Sequence, residues 1–116
     1  MGRLVIYLGD LPDDPSDAAA LFFSKHVREA RELLVEGAWK PLGLSEEPEV
    51  LTYIFPVGGH EHEAWQRAGV QALARELAPK RVNGVIGDGL DATDEVTDWL
   101  AQADGVTGQL LAVEPA

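Results

Sequence analysis

The chain reads as a three-layer α/β protein, with about four parallel strands and helices on both faces of the sheet. Three observations predict this. An unbroken apolar run at residues 4–8 is followed by mainly apolar strand-like segments at 50–55, 81–86 and 109–113, and a run without polar alternation suits a strand buried on both faces. Between them lie segments whose apolar residues return every three or four positions, the pattern of one buried helical face. The resulting order, β-α-β-α-β-α-β, argues for parallel strands joined by right-handed crossovers.

The first run, Leu4-Val5-Ile6-Tyr7-Leu8, ends at Gly9-Asp10 and a turn-like Leu11-Pro12-Asp13-Asp14-Pro15. Asp14 or Ser16 can cap the helix that follows, with Asp17 favourably placed in its first turn. Phe23, Val27, Ala30 and Leu34 mark its buried face, and Gly37 stops it. Residues 40–48 read as a loop. The second strand ends at Pro56 and Gly58-Gly59, and a helix is expected over residues 61–78, stopped by Pro79. Trp65, Gly69, Leu73 and Leu77 share one face of it. Ala64, Ala68 and Ala72 form an adjoining ridge small enough for close helix approach. A third helix is expected over residues 94–103, capped by Thr93 or Asp94, with Val96, Trp99 and Leu100 turned inward.

At 116 residues the chain holds one domain, residues 1–116, with one core. Twenty acids against nine bases give a net charge of −11. Phosphate backbones and anionic membrane surfaces repel such a chain, so neither nucleic acid nor membrane is an expected partner. No apolar run approaches the ~18 residues needed to span a bilayer. There is no cysteine, which excludes disulfides and thiolate chemistry and makes a cytoplasmic location the expectation.

His60-Glu61-His62-Glu63 is the one cluster of metal-ligand residue types, yet residues two apart point to opposite sides of a helix. It reads as a polar helix start, and no metal site is assigned. Asp88, Asp91, Asp94, Glu95 and Asp98 read as a solvated acidic face.

From Ala68 onward the chain resembles the C-terminal half of a short-chain dehydrogenase/reductase. Ala72-Leu73-Ala74-Arg75-Glu76-Leu77-Ala78-Pro79-Lys80 is similar to the end of that family's catalytic helix. Arg81-Val82-Asn83-Gly84-Val85 is similar to the following R-V-N-x-V strand, and Val106-Thr107-Gly108-Gln109-Leu110-Leu111-Ala112-Val113 to the last one, V-T-G-Q-x-L-x-V. The resemblance implies a Rossmann-like or flavodoxin-like half-fold in which residues 4–8 correspond to the family's fourth strand.

It also implies a missing catalytic set. The family's glycine-rich nucleotide turn has no counterpart, and Gly84-x-x-Gly87-x-Gly89 reads as a loop. The family's Tyr and Lys fall near Gly59 and Glu63, and Asn83 is the only asparagine. No catalytic residue and no cofactor are therefore expected. A noncatalytic N-terminal domain of high-molecular-weight 3-oxoacyl-ACP reductases is similar in this respect. The expected role is association, as a homodimer or as a subunit beside a complete reductase. Ala64, Trp65, Ala68 and Ala72, together with Leu4 and Ile6 on the edge strand, are the candidate interface. Two alternatives are half of a composite active site completed by another chain, and a small-ligand binder at the strand C-termini, near Gly9-Asp10, Gly58-Gly59 and Gly87-Asp88.

Overall fold

The computed structural model describes residues 2–44, 46–87 and 91–113. Four strands form one sheet: β1 (Gly2–Tyr7), β2 (Pro48–Phe55), β3 (Arg81–Ile86) and β4 (Leu110–Ala112). They lie in the order β1-β2-β3-β4, and all three pairings are parallel. The α/β class and the strand count are thus as the sequence predicts. The helices are α1 (Pro15–Leu21), α2 (Val27–Leu34), α3 (Glu63–Glu76) and α4 (Asp91–Gln102). Asp14 caps α1, its carboxylate accepting from Asp17 N at 3.0 Å. The segment expected to be a loop contains a 3-10 turn, Lys40–Leu42.

Strand pleating divides the core in two. Leu51, Tyr53, Phe55 and Val82 face one side, where Phe22, Val27, Ala30 and Leu34 of the first helical segment meet Val70 and Leu73 of α3. Ile54 and Val85 face the other side, where Leu100 of α4 covers them. In β2 every residue but Glu49 is buried, the mark of a central strand closed on both faces.

Two departures from the sequence reading concern helix phase. Phe23 is 45% exposed, whereas Phe22 is fully buried. The cause is a π turn over Phe22–His26, whose closing bond runs from Val27 N to Phe22 O. One extra residue in that turn moves the buried stripe from Phe23 to Phe22, after which Val27, Ala30 and Leu34 follow in ordinary helical steps. Trp99 was expected inward and is 56% exposed. Val96 and Leu100 do turn to the core as expected, and Thr93, Thr97 and Ala101 complete the inner stripe of α4. Two buried threonines conceal that stripe from a hydrophobicity count, and Thr97 Oγ1 donates to Thr93 O at 2.8 Å.

The third departure is one of handedness. All three crossovers step the same way across the sheet. They share a hand only if their helices lie on one face, yet α4 lies opposite α1, α2 and α3. The β3–β4 crossover therefore has the opposite hand to the other two, against the uniform right-handedness expected. A dense polar network holds this crossover. Arg81, at the start of β3, is 8% exposed and donates to three carbonyls at the end of α4: Leu100 O (3.0 Å), Ala101 O (3.1 Å) and Ala103 O (2.8 Å). Asn83 is fully buried. Its Nδ2 donates to Val106 O and its Oδ1 accepts from Gln109 N. Thr107 Oγ1 accepts from Val82 N, and Gly108 N donates to Val82 O.

Candidate functional site

Parallel strands deliver their C-terminal ends to one rim of the sheet, the usual place for ligands in α/β folds. On this rim the loop after β2, Pro56-Val57-Gly58-Gly59, separates two cavities. One, of about 220 Å³, lies toward Ile86, Ala112 and Val113. The other, of about 250 Å³, lies toward Leu11, Pro12 and Trp65. Gln66, from the second turn of α3, lines both. It is only 4% exposed, and among the described residues its Oε1, like His26 Nδ1, has no hydrogen-bond partner.

Beside the second cavity, His60–His62 forms a 3-10 turn that leads into α3. The two histidines do not converge. The His60 side chain is 98% exposed. His62 Nδ1 accepts from Trp65 Nε1 at 3.1 Å, which leaves Nε2 to donate to Asp13 O at 3.0 Å. Both His62 nitrogens thus serve to tie the start of α3 to the loop after β1. Among the described residues no group of three or more His, Cys, Asp or Glu side chains is placed to hold a metal ion.

A second polar group stands at the end of β1. Asp10 accepts from Lys25 Nζ at 2.9 Å and from His26 Nε2 at 3.0 Å. The Lys25 ammonium, followed by His26, holds the Asp10 carboxyl below its usual range. Sequence reading placed Asp10 at the strand C-termini but did not pair it with His26, and it missed Gln66, because an isolated polar residue in an amphipathic helix reads as surface until its neighbours are placed.

The candidate interface residues separate. Ala64 and Ala68 are exposed, and Ala72 is half-buried. Trp65 is half-buried and packs into its own core, its ring centroid 5.5 Å from Phe22 and 5.8 Å from Phe55. Leu4 and Ile6 are half-buried against the same core. Of the acidic stretch, Asp88 lies outside the described residues. Asp98 pairs with Arg3 at 2.6 Å, and Asp94 Oδ1 accepts from Tyr7 Oη at 3.5 Å, so these acids bind α4 to β1.

The two tyrosines occupy different surroundings. Tyr53 Oη donates to His26 O at 2.9 Å within the core, and burial pushes the phenol far above its usual pKa. Tyr7 lies on β1, 59% exposed. Gly84 and Gly87 serve packing. A Cβ at Gly84 would stand 2.9 Å from the Phe55 ring, and one at Gly87 would stand 2.4 Å from Thr93 Oγ1.

A family model described as short chain dehydrogenase-like protein matches residues 6–113. The chain belongs to this family. No protein of curated function and no solved structure matches it. In this short chain dehydrogenase-like chain the recognisable blocks are architectural. Arg81-Val82-Asn83 and Val106-Thr107-Gly108-Gln109 bond directly to each other across the crossover of unusual hand. Gly59 and Glu63, near which the resemblance puts the family's Tyr and Lys, lie at the entry to α3. Among the described residues no helix is long and apolar enough to cross a membrane.

Proposed function

We propose that this short chain dehydrogenase-like domain is noncatalytic and acts by association, as a homodimer or as an accessory subunit of a complete reductase in acyl or ketone reduction. One observation carries the reading. Among the described residues β1 is a six-residue strand paired on one side only. Leu8 N donates to Ile54 O, so the backbone groups of Leu4 and Ile6 point to β2. By alternation those of Arg3, Val5 and Tyr7 point outward, a row of donors and acceptors that another strand can pair. The exposed Ala64-Ala68 ridge of α3 offers a second surface. Glycine and glutamate where the family's Tyr and Lys fall, with a deeply protonated Tyr53, support the noncatalytic part.

Sedimentation at micromolar concentration tests the association. The wild type is expected to sediment as an oligomer, alone or with a complete reductase. Val5→Pro removes one outward N–H without touching the β1–β2 bonds, and is expected to give the monomer. Raising salt is expected to strengthen a homodimer by screening the net charge of −11. Ala68→Glu asks the same of α3: a monomer there, with Val5→Pro unchanged, moves the contact to the helix. A wild type that stays monomeric under both conditions removes the reading.

The same protein is expected to bind neither NADH nor NADPH. Energy transfer from its tryptophans to the nicotinamide measures this. Micromolar binding would favour a composite active site instead.

A further inference from the structure

We infer that the partner of the β1 edge is β1 of a second copy of this chain, paired antiparallel about Val5, an inference that rests on the association proposed above. The three residues whose backbone groups point outward, Arg3, Val5 and Tyr7, also turn their side chains to one face of the sheet, the face of α4. Arg3 reaches Asp98 at 2.6 Å, Val5 packs against Ile54, Val85 and Leu100, and Tyr7 Oη donates to Asp94 Oδ1 at 3.5 Å. The edge therefore carries its chemistry in a fixed order. A guanidinium stands at its start, an aliphatic side chain at its middle, and a phenol backed by a carboxylate at its end.

That order matches itself when it is reversed. Antiparallel pairing about Val5 sets Arg3 against Tyr7 of the second copy at both ends of the contact, and Val5 against Val5 at its centre. All three outward residues then form hydrogen-bonded pairs, with about six hydrogen bonds in all, whereas a shift by two residues leaves one of the three without an opposite. Each guanidinium comes within reach of a tyrosine ring and of Asp94 behind it, an attraction for a cation on both counts. Parallel pairing would instead put Arg3 beside Arg3 and Asp94 beside Asp94, like against like. The groups concerned are available: Tyr7 is 59% exposed and the Arg3 side chain 45%. A two-fold contact also uses each β1 edge once, which closes it to further growth.

The chain has no cysteine, so introduced thiols report the register directly. Arg3→Cys and Tyr7→Cys proteins are mixed under mild oxidation, and the disulfide-linked dimer is measured. Opposed residues of a hydrogen-bonded pair lie ~5.5 Å apart between Cα atoms, within disulfide reach. The mixture is expected to cross-link at least about 10-fold faster than either variant alone, whose thiols would stand ~13 Å apart along the strands. The mixed dimer keeps one Arg3–Tyr7 pair, so the variants retain part of the contact they report. Self-linking of Arg3→Cys or of Tyr7→Cys at the rate of the mixture overturns the register. No cross-link in any sample, with a wild type that sediments as an oligomer, moves the contact off β1 and overturns the inference but not the association. A wild type that is monomeric alone and joins only a complete reductase removes the second copy as occupant. One that is monomeric in both cases removes the association as well.

Discussion

Arg81→Leu is expected to destabilise the protein by about 3–5 kcal/mol, one of the largest losses available to a single substitution here. The guanidinium closes α4 by donating to Leu100 O, Ala101 O and Ala103 O, and the residue is 8% exposed. The last carbonyls of a helix have no partner within it, and leucine would leave Leu100 O and Ala101 O facing an apolar side chain, while Ala103 O keeps the bond from Val106 N. Arg81→Lys should recover less than half of the loss, because one ammonium on a flexible stem cannot reproduce a planar fork. Urea denaturation gives the magnitude. Hydrogen exchange gives the place: α4 and β4 should lose protection before β1 and β2, because the damage is confined to the crossover of opposite hand. A loss below about 1 kcal/mol would show that the guanidinium does not hold these carbonyls.

Phe22→Ala is expected to cost about 3–5 kcal/mol, and Phe23→Ala no more than about 1. Phe22 is fully buried, and its ring lies 5.2 Å from that of Tyr53, 5.5 Å from Trp65 and 5.7 Å from Phe55. Gly69 makes room for it, since a Cβ there would stand 2.7 Å from Phe22 Cε2. Phe23 packs edge-on against Phe22 but leaves 45% of its surface in water. The pair therefore reads the helix register directly. Equal losses, or a larger one at Phe23, would mean that residues 15–34 wind as an unbroken α-helix without the π turn.

Much of the frame was legible because it rests on local chemistry. The third strand was expected over Arg81–Ile86 and runs over those residues. Its bounds are set by Pro79 before it and Gly87 after it. Asp14 was one of two expected caps and is the one in place, since a short carboxylate before Pro15 suits the first free N–H groups. The Arg81, Asn83 and Thr107 blocks carried the family resemblance, and they are the residues the crossover cannot lose.

What was not legible depends on neighbours distant in sequence. Trp99 fitted an inward stripe until Thr93 and Thr97, satisfied by a bond within α4, took that stripe. That the Trp65 ring packs against Phe22 and Phe55 of its own core was likewise not readable from its helix position. Gln66 carries no signal in the sequence, and its burial is decided by the packing of α3 in the fold.

By itself, the sequence determined the α/β class, the parallel sheet, the strand positions and the family, because apolar periodicity, caps and turn residues act within a few positions of one another. Tertiary structure decided which face of the sheet α4 covers, which of two adjacent phenylalanines enters the core, and which polar side chains are buried. Each of these turns on a helix being rotated or carried to one side by contacts tens of residues away. A hydrophobic period states that a helix has a buried face, but the π turn at Phe22–His26 and the side of the sheet it meets decide where that face points.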